Sequence, residues 1–173
     1  KALGDTIQGK KSISAKNENI AILKASNPLV MDILYKAGLC ENENYMTKTE
    51  CALVTESQLG TIFSSSNIST FDEFKYFTSI TNIPDGAFSN THYLKSITLA
   101  KTVKSIGRSA FYYSGSRLSN ENLSVTFTSE IESIGNQSFM NSGINSFVIK
   151  SNTSFGLGIF EGCTKLTNVT IED

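Results

Sequence analysis

Few residues in this chain could carry out chemistry. It contains one histidine, His92, and many serines, so a Ser-His-Asp arrangement can be imagined, but no G-x-S-x-G elbow is present to place a nucleophile. The acidic residues lie singly on predicted turns, with no pair spaced for acid–base catalysis. We therefore expect no enzymatic activity and no catalytic residues, and we interpret His92 as an exposed loop residue.

Three cysteines, Cys40, Cys51 and Cys163, form no metal or redox motif. An odd number cannot be fully paired within one chain, and none of the pairs has C-x-x-C spacing. Cys40 and Cys51 flank a loop between two predicted helices and could form a disulfide in an oxidising compartment. The sequence leaves open whether they do.

That loop has the outline of a calcium-binding EF-hand. If Glu50 is the twelfth loop position, Leu39 is the first, Glu41 the third and Glu43 the fifth. Leu39 cannot supply the oxygen ligand that the first position requires. We favour a structural cap over a metal site, and we expect neither a bound metal nor a cofactor.

Composition excludes two classes of partner. The net charge is −1, and Lys104, Arg108 and Arg117 are the only basic residues near one another, so we expect no nucleic-acid partner. The longest apolar stretches, such as Ile20 to Leu23, are too short to span a membrane. The chain starts at Lys1 without an initiator methionine or signal peptide, which suggests a processed or trimmed form.

Helix signals concentrate between residues 27 and 67. Asn27 is a favoured N-cap, Pro28 suits the first helical position and Gly38 is a stop signal, which predicts a helix from Pro28 to Ala37. Thr47-Lys48-Thr49-Glu50 is a capping box that starts a second short helix. The preceding residues 1–26 form a polar, flexible lead-in in which Ile20–Leu23 is either a strand or a helical turn.

The second half of the chain repeats one short unit, and this repeat defines the architecture of the protein. Four copies keep a frame of an apolar residue, a turn-former, two variable positions, a usually small residue and Phe. They are Ile83-Pro84-Asp85-Gly86-Ala87-Phe88, Ile106-Gly107-Arg108-Ser109-Ala110-Phe111, Ile134-Gly135-Asn136-Gln137-Ser138-Phe139 and Phe155-Gly156-Leu157-Gly158-Ile159-Phe160. Units with a period near 22 cannot bury an apolar face alone and must stack on their neighbours.

Each unit continues in the same way. A small residue follows each Phe by three positions (Thr91, Ser114, Ser142, Cys163), where we expect tight packing or local hydrogen bonds, and Cys163 is interpreted as a small buried hydrophobe. An alternating strand comes next (Ile97-Thr98-Leu99, Val125-Thr126-Phe127, Phe147-Val148-Ile149, Val169-Thr170-Ile171). Bend glycines such as Gly107 supply either positive φ or a close backbone approach, and the residues from Ser116 to Asn122 are an insertion that maps to a surface loop.

These residues resemble the BspA-like leucine-rich repeats of bacterial cell-surface proteins. The match lies in Ser105-Ile106-Gly107, Ala110-Phe111, Ser133-Ile134-Gly135 and the run from Phe160 to Leu166, whereas Ser138 and Ile159 depart from the alanine column. The resemblance implies an α+β solenoid, a right-handed stack of short strands and turns with a small helical N-terminal cap. We predict a lead-in at 1–26, a helical cap at 27–67 and a solenoid at 68–173, with a short first unit whose phenylalanines cover the end of the core.

The resemblance also implies a function at the cell surface or outside the cell. Related proteins are associated with adhesion, so we expect a module that binds a host or extracellular-matrix protein or a glycan, with a structural spacer that displays another domain as the alternative. The binding surface would be the outward strand positions, which alternate with the inward apolar set. They are Ser96, Thr98, Ser124, Thr126, Ser146, Val148, Asn168 and Thr170.

The last strand, Val169 to Ile171, has no unit after it in this sequence. Its inward residues would lie at an exposed edge of the stack. We therefore expect either that the natural chain is longer or that this edge mediates self-association.

Overall fold

The computed structural model describes residues 21–24 and 27–173 and is an α+β solenoid with an N-terminal cap. The cap contains β1 (Ala21–Lys24), α1 (Pro28–Lys36), β2 (Tyr45–Thr47), α2 (Lys48–Leu53) and α3 (Glu56–Leu59). The solenoid contains β3 (Thr70–Phe71), a 3₁₀ helix (Asp72–Tyr76), β4 (Asn82–Ile83), β5 (Ser96–Thr98), β6 (Ser105–Ile106), β7 (Ser124–Thr126), β8 (Ser133–Ile134), β9 (Ser146–Lys150), β10 (Ser154–Phe155) and β11 (Asn168–Glu172).

Each unit adds one strand to each of two parallel ladders. The bend ladder runs in the order β4, β6, β8, β10, with the apolar bend residues Ile83, Ile106, Ile134 and Phe155 in register. The strand ladder consists of a β3-β5-β7 sheet and a β9-β11 sheet. Parallel strands whose connections return through a turn produce the predicted stack, with its core between the two ladders.

The predicted phenylalanine column stacks ring on ring. Centroids are 5.3 Å apart from Phe88 to Phe111, 5.1 Å from Phe111 to Phe139 and 6.1 Å from Phe139 to Phe160. Phe63 precedes the four predicted copies and continues the column, 5.7 Å from Phe88. The predicted aromatic cover is confirmed, since Phe71, Phe74 and Phe77 are fully buried beside this end of the column. Phenylalanines of the column and of this cover are the largest fully buried side chains among the described residues.

The small residues of the column hydrogen-bond to one another or to carbonyls of the stacked phenylalanines. The Thr91 hydroxyl donates to the Ser114 hydroxyl over 2.9 Å, and Ser114 donates to the Phe88 carbonyl over 2.7 Å. Further along, the Cys163 thiol donates to the Phe139 carbonyl over 2.9 Å. Cys163 is half-buried, which corrects its interpretation as a small buried hydrophobe. Thr91 and Ser114 are fully buried, so both expected features, tight packing and local hydrogen bonds, occur at these two positions.

The bend glycines are present because neighbouring backbones approach closely, not because φ is positive. A Cβ on Gly107 would lie 2.5 Å from the Ile83 carbonyl oxygen, a separation that no side chain tolerates. Gly107 is also absent from the residues with positive φ. The sequence left these two explanations open, and the stacking distance of the bend ladder decides between them.

Positive φ occurs instead at two other positions of each unit, which the sequence analysis did not identify. One lies three residues after the bend residue and the other two residues after the stacked Phe. The first column is Gly86, Ser109, Gln137, Gly158, and the second is Asn90, Tyr113, Asn141, Gly162. Asn and Gly tolerate the left-handed region, and their recurrence was the available signal.

The N-terminal cap matches the predicted helices, with one correction. Helix α1 ends at Lys36, Ala37 is its C-cap and Gly38 follows with φ of 72°. Asn27 does not cap α1 through its side chain as predicted, because its amide donates to the Thr70 carbonyl over 2.8 Å. The side chain therefore ties α1 to the outer edge of β3, a tertiary contact that outweighs the local capping preference.

The predicted capping box at Thr47 and Glu50 is confirmed, and a second box joins Thr55 to Gln58. Residues 21–24 of the predicted lead-in form β1, which pairs antiparallel with β2 and so decides between strand and helical turn. The rest of the predicted lead-in, 1–20 and 25–26, lies outside the described residues.

A glutamate of the cap forms hydrogen bonds with the first strand of the bend ladder. One carboxylate oxygen of Glu56 accepts hydrogen bonds from the Thr81 amide, the Thr81 hydroxyl and the Asn82 amide, at 2.8 to 2.9 Å. Burial acts to raise the pKa of Glu56, but the hydrogen bonds from Thr81 and Asn82 lower it below the usual glutamate value. The edge of β4 is thereby occupied by the cap, as an open stack end requires.

Replacing Phe111 with alanine should destabilise the whole repeat region, because its ring stacks on both neighbours. We expect a loss of about 3–5 kcal/mol in the free energy of unfolding, measured by urea denaturation. Leu157→Ala is the control, since Leu157 is 80% exposed, and should stay within about 0.5 kcal/mol of the parent. Equal effects of the two substitutions would contradict a core built on the phenylalanine column.

Candidate binding surface

The structure brings the eight predicted surface residues together in two groups. Cross-strand neighbours in β5 and β7 are Ser96 with Ser124 and Thr98 with Thr126. Those in β9 and β11 are Ser146 with Asn168 and Val148 with Thr170. All eight side chains are exposed or half-buried, while Ile97 and Phe147 between them point into the core. We call this outward surface the strand face.

Two of these residues are engaged by the first unit. The Ser96 and Thr98 hydroxyls donate to the carboxylate of Asp72 at 3.0 Å and 3.4 Å. Asp72 is exposed and begins the 3₁₀ helix. This end of the strand face therefore presents a negatively charged group with serine and threonine around it, whereas Ser124 and Thr126 remain exposed hydroxyls.

The predicted surface of outward strand positions is not continuous, because the strand ladder divides between β7 and β9. Within the described residues, these strands are joined by a single parallel bridge, from Leu123 to Ile144. Beyond that bridge they diverge, although β6, β8 and β10 stay paired in the bend ladder. The result is a wedge-shaped opening in the strand face, which we call the cleft.

Hydroxyl contacts after β7 account for the divergence. Thr128 donates to the Leu99 carbonyl over 2.8 Å and Ser129 donates to the Val103 carbonyl over 2.6 Å, so this segment follows the preceding unit. Strand β9 instead continues to Lys150, two residues beyond the position equivalent to Thr126, and pairs throughout with β11. The two segments are held by opposite neighbours, and the space between them stays open.

The cleft has a volume of about 410 Å³, an apolar floor and a polar rim. Its floor exposes parts of core residues, namely Phe127, Ile131, Ile134, Phe147 and Ile149. The rim includes Thr126, Ser146, Glu130 and Lys150. A concave apolar site with a few polar groups at its margin is the usual form of a ligand-binding site.

The insertion in the second unit is anchored to the stack. Lys165 Nζ from the fourth unit donates to the Glu121 carbonyl over 2.8 Å and also to the Leu118 carbonyl, and Leu118 is buried. Lys95 pairs with the Glu121 carboxylate at 2.7 Å. The insertion is a surface loop as predicted, but it also clamps the first, second and fourth units together.

His92 is half-buried, which corrects the prediction of an exposed loop residue. Its Nδ1 lies 2.7 Å from the Ser116 hydroxyl, and its ring contacts Tyr113 at a centroid distance of 6.2 Å. Burial, followed by the nearby Arg117 charge, lowers the pKa of His92. Neither contact is an acid that could complete a Ser-His-Asp arrangement.

The EF-hand-like loop uses its acidic group for its own structure. The Glu50 carboxylate accepts hydrogen bonds from the Glu41 amide at 3.0 Å and from the Thr47 amide at 2.8 Å. Among the described residues, no cluster of three histidine, cysteine or acidic side chains could hold a metal ion. The Glu50 carboxylate therefore both caps α2 and closes the loop at Glu41.

Cys40 and Cys51 are free thiols in the structure, both buried in the cap. Burial, assisted by the Glu50 carboxylate, raises the pKa of Cys40 to about 11 and that of Cys51 to about 12. Both groups are therefore protonated and weakly nucleophilic near neutral pH.

The last strand exposes its inward side. Val169 is 43% exposed and Ile171 70% exposed, whereas the equivalent residues of β5 and β9 are buried. Strand β11 pairs with β9 on one edge, and its other edge carries no strand in the described chain.

The family model of the BspA type leucine-rich repeat region matches residues 61–173 in six copies. The chain belongs to this family. No curated protein matches the sequence. Among solved structures, a leucine rich cell surface protein from Faecalibacterium prausnitzii A2-165 is similar, with 22% identity and a TM-score of 0.47. The match covers 65% of this chain and 30% of that protein, so this BspA-type chain spans about a third of its neighbour's length.

The match begins within the cap predicted from the sequence, close to Phe63 at the start of the stacked column. In the part of this BspA-type chain that the structure describes, no helix has the length and apolarity needed to cross a bilayer.

The raised thiol pKa values predict slow alkylation of the folded protein. At pH 8, only about 0.1% or less of Cys40 and Cys51 is thiolate, and the rate of labelling by iodoacetamide should rise about tenfold per pH unit up to pH 10. Mass spectrometry of the labelled peptides measures this, with urea-unfolded protein as the control. Labelling of both residues at the unfolded rate at pH 8 would contradict the buried, protonated state.

Proposed function

We propose that this protein is a non-catalytic interaction module that acts at the cell surface or outside the cell and binds a protein or glycan through its strand face. The supporting observation is the strand face itself, which presents small hydroxyl side chains on a rigid repeat scaffold. Small polar groups on a regular backbone cost little side-chain entropy when a partner covers them. BspA-type repeats, the family to which the chain belongs, support the same proposal.

A panel of extracellular-matrix proteins and glycans tests this function, with binding measured by surface plasmon resonance. Changing Thr98, Thr126 and Thr170 together to lysine should abolish binding of any partner found, because the long charged side chains block the strand face. The control places the same three charges elsewhere, as Thr49→Lys, Ser57→Lys and Ser119→Lys, all at positions away from the strand face. Binding that survives the first set would exclude the strand face, and absence of any partner would favour the spacer alternative.

We also propose that the 173-residue chain self-associates through β11. Two observations support the proposal: Val169 and Ile171 are exposed, and the outer edge of β11 pairs with no strand of the described residues. Two copies related by a two-fold axis could pair their β11 strands antiparallel.

Ile171→Lys should convert the dimer to monomer in sedimentation velocity runs between about 1 and 100 µM, because a charge would enter the apolar contact. Leu53→Lys is the matched control, since Leu53 is also 70% exposed but lies in the N-terminal cap. A parent chain that stays monomeric over this range would overturn the proposal.

A further inference from the structure

The cleft between β7 and β9 is flanked by two strand edges that lack partners. The Ser124 amide donates to the Lys95 carbonyl, and Thr126 accepts from the Leu99 amide, so these residues direct their backbone groups toward β5. Because backbone groups alternate along a strand, Val125 and Phe127 direct theirs toward the cleft. In the described chain, neither forms a backbone hydrogen bond with β9.

Strand β9, on the other side of the cleft, shows the same alternation. The Asn145 carbonyl accepts from the Asn168 amide and the Ser151 amide donates to the Glu172 carbonyl, so the odd-numbered residues of β9 pair with β11. Val148 consequently directs its amide and carbonyl into the cleft, and Lys150 its amide. The Lys150 carbonyl accepts from the Thr153 amide over 3.1 Å. Unpaired strand edges beside an apolar floor are a template for another extended chain.

The charges at the rim are unequal. Lys150 is neutralised by Glu172 at 3.1 Å, whereas Glu130 is exposed and forms no ion pair among the described residues. The rim therefore carries an unbalanced negative charge beside the apolar floor, which favours a cationic residue in the ligand.

We propose that the cleft binds an extended peptide segment of a partner, which pairs its backbone with the β9 edge at the Val148 amide and carbonyl and the Lys150 amide. One apolar side chain of the segment enters between Phe127 and Ile149, and a neighbouring lysine or arginine lies against Glu130. This inference deepens the proposed function by naming a ligand class for one part of the strand face, and it rests on that function. A peptide meets all three features, because it alone supplies alternating amide donors and carbonyl acceptors at strand spacing together with side chains.

The probe is a phage-displayed library of random heptapeptides, panned on the immobilised 173-residue chain. We expect enriched sequences to share one aliphatic or aromatic residue with a basic residue close to it. Their affinity is measured by fluorescence anisotropy with labelled synthetic peptides. Enrichment of acidic or purely polar sequences, or no enrichment, would overturn the proposal.

Val148→Pro tests the backbone pairing, because proline removes an amide that has no partner in the unbound protein. It should weaken peptide binding about fivefold to tenfold, as expected for one lost backbone hydrogen bond. Val148→Ala is the matched control and should stay within about twofold, since it keeps the amide. Equal affinities of the proline and alanine variants would overturn the pairing with β9.

Amide exchange followed by NMR in the unsubstituted protein gives a result that does not depend on the folding of any variant. The peptide should slow exchange at Val148 and Lys150, while Phe147 and Ile149, already paired with β11, should change little. Unchanged exchange at Val148 and Lys150 in the presence of saturating peptide would overturn the proposal. Binding of an apolar dye in the cleft without such protection would assign the site to small molecules and would also overturn it.

The two proposals fail separately. A partner that is lost with the lysine substitutions on the strand face but binds the Val148→Pro variant normally would support the proposed function and exclude the cleft. A selected peptide that protects β9 in a chain with no partner in the macromolecular panel would support the cleft without the adhesion function.

Discussion

The contact between one repeat and the next is the interaction on which the rest of this structure depends. A single unit holds a two-residue bend strand and a short outer strand, and it has too few apolar residues to enclose a core of its own. Stacking brings Phe88, Phe111 and Phe139 into direct ring contact and buries the bend isoleucines behind them. The other regular features follow from this spacing, because glycine is required where bend backbones touch and a small hydroxyl where the columns are tightest.

A stack held together by neighbours has two ends, and the ends of this chain differ. At the N-terminal end the cap supplies hydrogen-bond partners to both ladders, through Asn27 on β3 and Glu56 on β4, and the aromatic rings of the short first unit cover the core. At the C-terminal end of the described chain, β11 presents apolar side chains and an edge that pairs with no other described strand. The cap therefore completes the first unit with the same kinds of contact that each later unit receives from its neighbour.

The two ladders of the solenoid accommodate differences in length between units in different ways. The bend ladder remains continuous because its short strands and close backbone contacts permit little change in strand position. The units differ in length in the strand ladder, and between β7 and β9 this ladder opens into the cleft. Repeat proteins commonly bind through the part of the repeat that varies, and here that part exposes apolar floor residues beside hydroxyl groups.

Much of this architecture could be predicted from the sequence, because repetition makes each column visible several times. Four copies of one frame identified the phenylalanine column, the small-residue column and the alternating strands, and local chemistry identified the Thr47 capping box. The side chain of Asn27 could not be assigned in the same way, because its choice between capping α1 and bonding Thr70 depends on where β3 lies. His92 likewise became half-buried through contacts with Ser116 and Tyr113 in the next unit.

The sequence by itself determined which residues face inward and which face outward, since that follows from local alternation within every unit. Only the tertiary structure decided that the outward residues form two groups with a cleft between them. That division depends on whether neighbouring strands stay paired, and Thr128 and Ser129 bond to the preceding unit while β9 bonds to the following one. Strand pairing between units depends on which distant segments bond to each strand, and a local sequence pattern does not show this.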